Sequence, residues 1–103
     1  MGSISYSGEF NDVVNDAYLA ISLSISTTPV LLKVGSTNLV GREIIIIENK
    51  SGSKVYIGPS GVTSSTGIVL DTNQFITFPA GDNINMYAVT QSGTSTIVVQ
   101  EMA

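Results

Sequence analysis

The stretch LAISLSIS, residues 19–26, alternates apolar and small or polar side chains almost without a break. Leu19, Ile21, Leu23 and Ile25 fall on one side, Ala20, Ser22, Ser24 and Ser26 on the other. Successive strand residues point to opposite faces, so this pattern predicts a strand with one buried and one wet face. A second stretch breaks that rule. EIIIIEN, residues 43–49, sets four isoleucines in a row between two acids. Ile44 and Ile46 must point one way and Ile45 and Ile47 the other. One pair can enter the core, and the other pair also needs a cover. Each fully buried isoleucine contributes about 1.5–3 kcal/mol, and leaving two in water invites aggregation.

Outward from these stretches the chain keeps a β rhythm. Strands are expected at residues 19–26, 30–35, 43–49, 54–58, 68–70, 75–78, 84–91 and 95–101, separated by Gly, Pro, Asn, Asp and Ser. Turn signals recur about every 8–12 residues, and no long helical pattern interrupts them. The expected fold is therefore all-β: about eight short antiparallel strands in a sandwich or jelly-roll-like barrel. QSGTS, residues 91–95, reads as the most secure hairpin. Residues 1–18 differ in character. They hold three of the eight acids, Glu9, Asp12 and Asp16, and no base. They are expected to form an N-terminal extended arm ahead of a β-sandwich domain at 19–103. Tyr6, Phe10, Val13 and Val14 in the arm are candidate contacts to a neighbouring subunit, and so are Ile45 and Ile47. A frayed terminus is the plain alternative for the arm, and simple exposure of an isoleucine is the plain alternative for the strand.

One hundred and three residues suit a single domain. The chain is 43% hydrophobic and only 12% charged, against about 25% charged in average globular chains. A low-charge surface suits a protein that works packed against other protein. The net charge is −4, and the four bases, Lys33, Arg42, Lys50 and Lys54, form no dense run. Direct nucleic-acid binding, which needs a basic footprint, is not expected. The longest aliphatic run is far short of the ~20 residues of a membrane helix, and no basic region precedes an apolar run at the N-terminus, so neither a membrane role nor a secretory signal is expected.

Catalysis is not expected either. The chain has no histidine and no cysteine, which removes the usual neutral-pH base and the Ser-His-Asp and Cys-His arrangements. Glu43 and Glu48 lie at opposite ends and on opposite faces of one strand, too far apart for paired carboxylate chemistry. Residues 58–67, GPSGVTSSTG, lack the Gly-Lys-Ser/Thr of a phosphate loop and precede no helix. Asp82, Asn83 and Asn85 offer oxygen ligands but read more simply as a turn. Asn49-Lys50-Ser51 matches the glycosylation pattern by chance. Tyr56 and Tyr87 read as packing residues, or as a stacking platform for a sugar. No cofactor and no metal is expected.

The C-terminal half carries a familiar cadence. Val55-Tyr56-Ile57-Gly58, Ser60-Gly61-Val62-Thr63, Tyr87-Ala88 and Ser92-Gly93-Thr94 follow one another across residues 53–101. This resembles a group of small β-sandwich virion proteins encoded by tailed bacteriophages. The resemblance implies a structural role in the particle, as a capsid decoration or cement protein. Its partners would be the major capsid protein and copies of itself, as a homotrimer. It would be made in the host bacterial cytoplasm and end on the capsid surface. The resemblance also extends to small domains of phage tails and fibres, and a receptor- or carbohydrate-binding module there, resting on Tyr56 and Tyr87, is the alternative.

Overall fold

The computed structural model describes residues 17–103, which form eight strands in two four-stranded sheets. They are β1 (Tyr18–Ile25), β2 (Val30–Leu31), β3 (Ile44–Gly52), β4 (Val55–Gly58), β5 (Ile68–Leu70), β6 (Phe75–Pro79), β7 (Tyr87–Thr90) and β8 (Ser95–Met102). One sheet has the order β1-β8-β3-β6 and the other β2-β7-β4-β5, and every pairing is antiparallel. The pairs β1/β8, β2/β7, β3/β6 and β4/β5 are nested, outermost strands with outermost strands. The chain is thus one long hairpin rolled over on itself, the connectivity of a jelly roll. The all-β expectation is met.

The inner faces meet in one core. Ile25, Ile45, Ile47, Ile97 and Val99 come from the first sheet, and Leu32, Val55, Ile57, Leu70 and Ala88 from the second sheet or its extension. The isoleucine run divides as strand geometry requires. Ile45 pairs with Glu101 and Phe78, and Ile47 with Val99 and Ile76, so both sit on the inner face and are fully buried. Ile44 and Ile46 point outward and are half-buried. Asn49 is also inward and fully buried. A bulge between Asn49 and Ser51 then bends β3 toward the second sheet. The Asn49 side-chain amide donates to the Ser53 and Leu70 carbonyls at 3.0 Å each, tying the bend to β5.

Two expectations are corrected. Residues 91–95 do not close a hairpin, because β7 and β8 lie in different sheets. Thr90 pairs with Val55 in one sheet and Ser95 with Ile25 and Gly52 in the other, so the segment crosses the sandwich. It runs beside the β3–β4 crossing, to which it is joined by Ser53 N–H to the Thr94 carbonyl (3.2 Å) and by the Ser95 hydroxyl to the Ser53 carbonyl. The second strand is shorter than its apolar run. After the Leu32 N–H to Met86 carbonyl bond (2.8 Å), Val34 donates instead to the Glu101 carboxylate at 2.9 Å. The ladder ends where a side chain captures the next amide.

The double crossing makes a strict demand on Gly52. Its φ is +102°, and a Cβ there would lie 2.4 Å from the Thr94 carbonyl oxygen. Gly61 has φ +85° with nothing within 4 Å of its Cβ position. Gly61→Ala is therefore expected to cost only backbone strain, about 1–2 kcal/mol. Gly52→Ala should cost clearly more, because backbone must move as well. Urea unfolding of the two variants checks this, and equal losses would contradict the close packing of the crossings.

Candidate interaction surface

The outer face of the β1-β8-β3-β6 sheet follows from the register. Its first row is Tyr18, Met102, Ile44 and Pro79, its second Ala20, Gln100, Ile46 and Thr77, and its third Ser22, Val98, Glu48 and Phe75. Glu48 is the one charged side chain in these rows. Ile44, Ile46, Val98 and Met102 are half-buried by their neighbours, and the rings at the two margins are open: Tyr18 is 66% and Phe75 69% exposed. The Tyr18 hydroxyl donates to Gln100 Oε1 across the face. Phe75 also borders a shallow groove with Val69 and Ile76, where the edges of β5 and β6 approach. An ordinary antiparallel sandwich wets the outer face of each sheet. Here that face is an apolar band, the kind of surface that marks contact with another molecule.

The arm residues Tyr6, Phe10, Val13 and Val14 lie outside the described residues. Ile45 and Ile47, expected at a subunit interface, are instead enclosed by this chain's own core, because their partners Glu101, Val99, Phe78 and Ile76 all face inward. The pair left for an interface is Ile44 and Ile46.

Sequence reasoning missed the most polar feature of the interior. Arg42 and Glu101 are both buried, with Arg42 Nη1 2.8 Å from Glu101 Oε2. Arg42 Nε donates to the Ala80 carbonyl (3.0 Å), and Nη2 to the carbonyls of Gly81 (2.9 Å) and Ile84 (2.6 Å). Glu101 accepts from the Val34 amide through Oε1 (2.9 Å) and from the Leu39 amide through Oε2 (3.1 Å). The pair clamps the β2–β3 and β6–β7 connections onto the end of β8. Apart from the contact between Nη1 and Oε2, its hydrogen bonds all go to backbone, which suits a structural clamp. Strand parity could have revealed it: Glu101 falls in step with Ile97 and Val99, so an acid was entering the apolar face and required a base.

The remaining motifs take structural positions. Residues 59–67 fold back so that Val62 is buried, with Val62 N–H to the Pro59 carbonyl (3.0 Å) and Gly67 N–H to the Thr63 carbonyl (2.9 Å). Asp82 Oδ2 accepts from the Gly41 amide at 2.7 Å, and Asn38 Nδ2 donates to Asn85 Oδ1 at 2.9 Å and to the Asp82 carbonyl at 3.0 Å, so this cluster ties two loops together. The Asn49 amide nitrogen, which glycosylation would modify, is enclosed and engaged twice. Tyr56 and Tyr87 are half-buried on the outer face of the second sheet. Among the described residues no group of three or more Asp or Glu side chains is placed to hold a metal ion. Comparison with known protein families, curated proteins and solved structures found no match for this chain.

Removing one member of an enclosed ion pair strands the other charge and typically costs about 3–5 kcal/mol. Arg42→Met should lose that much in urea unfolding. The exposed pair Lys54–Asp71, at 3.9 Å, is the control, and Lys54→Met should lose less than about 1 kcal/mol. Similar losses at the two sites would contradict the clamp.

Proposed function

We propose that this chain is a structural protein of a tailed-bacteriophage virion. It decorates and cements the capsid by burying its outer sheet face against the major capsid protein, and catalyses nothing. The observation that carries this reading is the apolar outer face of the β1-β8-β3-β6 sheet, which holds one charge in three rows. A surface of this kind gains free energy by burial alone, about 25 cal/mol per Å² of apolar area. Cementing needs no more than that: area shared across a subunit boundary holds the boundary closed. The acidic balance of the chain also disfavours adhesion to nucleic acid. The resemblance of residues 53–101 to small virion proteins supplies the particle, and the sheet face supplies the means of attachment. The protein would be made in the bacterial cytoplasm and reside on the capsid surface.

The glycan-binding alternative has less support: Tyr56 and Tyr87, its expected platform, are half-buried. Among the described residues the two open rings, Tyr18 and Phe75, stand on β1 and β6, the opposite margins of one sheet. Three strand spacings of about 4.8 Å separate them, too far to stack on one sugar ring.

The reading predicts that virions purified from infected cells contain this chain at a copy number matched to the capsid protein. Burying a phenyl ring is worth about 1.5–3 kcal/mol, so Phe75→Asp should reduce incorporation by at least about tenfold while its thermal unfolding stays close to that of the parent. Val40→Asp, at an 82% exposed position outside the three rows, should incorporate normally. Virions without the chain, or equal incorporation of the Phe75→Asp protein, would contradict the reading. Quantitative mass spectrometry of the particles decides it.

A further inference from the structure

The two sheets present four edges, and three of them are blunted. β2 has two residues and β5 three, too short to template much pairing. On β6 the pairing amides are set by Asn49 N–H to the Gln74 carbonyl (2.9 Å) and Ala80 N–H to the Glu43 carbonyl (3.0 Å). Hydrogen-bonded pairs alternate along an antiparallel ladder, so Phe75, Thr77 and Pro79 turn toward the open side. Pro79 brings no N–H to that side, a common protection of edge strands.

β1 has no such protection. It is eight residues long and contains no charge, no proline and no glycine. Ala103 N–H donates to the Ala17 carbonyl at 2.9 Å, continuing the Tyr18–Met102 register. By the same alternation Leu19, Ile21, Leu23 and Ile25 bond to β8, and Tyr18, Ala20, Ser22 and Ser24 turn their amides and carbonyls to the open edge. Among the described residues nothing covers the inner face of β1 at Leu19 and Ile21 either. β2 is too short to reach it, so Leu19 is 39% and Ile21 36% exposed, although both are on the core side of the sheet.

We infer that β1 is a strand-addition surface whose occupant is β1 of a second copy of this chain, antiparallel about a two-fold axis at Ile21. The sequence of the strand is self-complementary about that residue. Leu19 meets Leu23, Ile21 meets itself, and Ala20 meets Ser22, with small residues outside at the centre of the pairing and large aliphatic ones inside. The open-edge residues pair with one another in this register, Tyr18 with Ser24 and Ala20 with Ser22, as hydrogen bonding requires. No like charges face each other. The exposed Leu19 and Ile21 become cross-strand neighbours of apolar partners, the contacts that stabilise sheets. The product is one continuous eight-stranded sheet with an isologous interface, a two-fold association in place of the three-fold one that the family resemblance implies. It leaves the outer face free for a different partner and does not depend on the capsid reading.

The chain has no cysteine, so one introduced thiol reports without background. At a non-hydrogen-bonded antiparallel pair the Cα atoms lie about 4.5 Å apart, within the roughly 4.4–6.8 Å that a disulfide spans. Ile21→Cys in the full chain should form a covalent dimer under mild oxidation, and Thr77→Cys on the protected β6 edge should not. Light scattering of the unmodified full chain should give twice the 10.8 kDa mass, falling on dilution. Ser22→Pro removes an amide that points away from β8, so it should give the single-chain mass with an unchanged far-ultraviolet circular dichroism spectrum. A full chain that stays at the single-chain mass overturns the inference. So does a dimer that survives Ser22→Pro while Ile21→Cys fails to cross-link. A monomer that dimerises only after Phe10→Asp would place residues 1–16 on the edge instead, and would overturn it as well.

Discussion

Glu101 carries a carboxylate into the interior of the sandwich, and Arg42 is the base that meets it. Enclosing two charges costs several kcal/mol per ion, offset only by good geometry and full hydrogen bonding. Here the bonding is supplied by Val34, Leu39, Ala80, Gly81 and Ile84. The pair therefore constrains far more than its own position. β8 lies between β1 and β3. A slip of one residue would reverse every side chain of β8, turning Gln100 and Met102 inward and Glu101 away from Arg42. Holding β8 in register holds both neighbours, and with them the division of the isoleucine run into a core pair and a surface pair.

Much of the fold was legible because a period of two survives in local sequence. The eight strands, the absence of a long helical pattern and the opposed isoleucine pairs all follow from alternation. Connectivity did not follow. Ser92-Gly93-Thr94 looks the same in a tight hairpin as in a crossing between sheets; the difference lies in Gly52 and Ser53, far away in sequence and adjacent in space. Which isoleucine pair faces inward was also undetermined locally, since both pairs are identical. The decision comes from the partners Phe78, Ile76 and Val99 across the ladder. For the surface, the double-sided apolar strand was visible in the sequence. The bareness of β1 was not, because an edge exists only once the strand order is known.

The two surfaces of the β1-β8-β3-β6 sheet have different physical characters. The outer face offers area without direction, which suits a broad protein partner. The β1 edge offers a row of amides and carbonyls, which fixes direction and register. The open edge comes with a second feature of the fold: β2 has two residues against eight in β1, so the core ends before the strand does. Leu19 and Ile21 are left where a neighbour can complete what the described residues do not cover.

The claim that this sheet is completed by another molecule is tested most directly by amide hydrogen exchange along β1 in the full chain, measured at high and low protein concentration. The account predicts that Ala20, Ser22 and Ser24 are protected when concentrated and exchange rapidly when dilute, while Leu19, Ile21 and Leu23, bonded to β8, stay protected throughout. Rapid exchange at Ala20, Ser22 and Ser24 at both concentrations would contradict it.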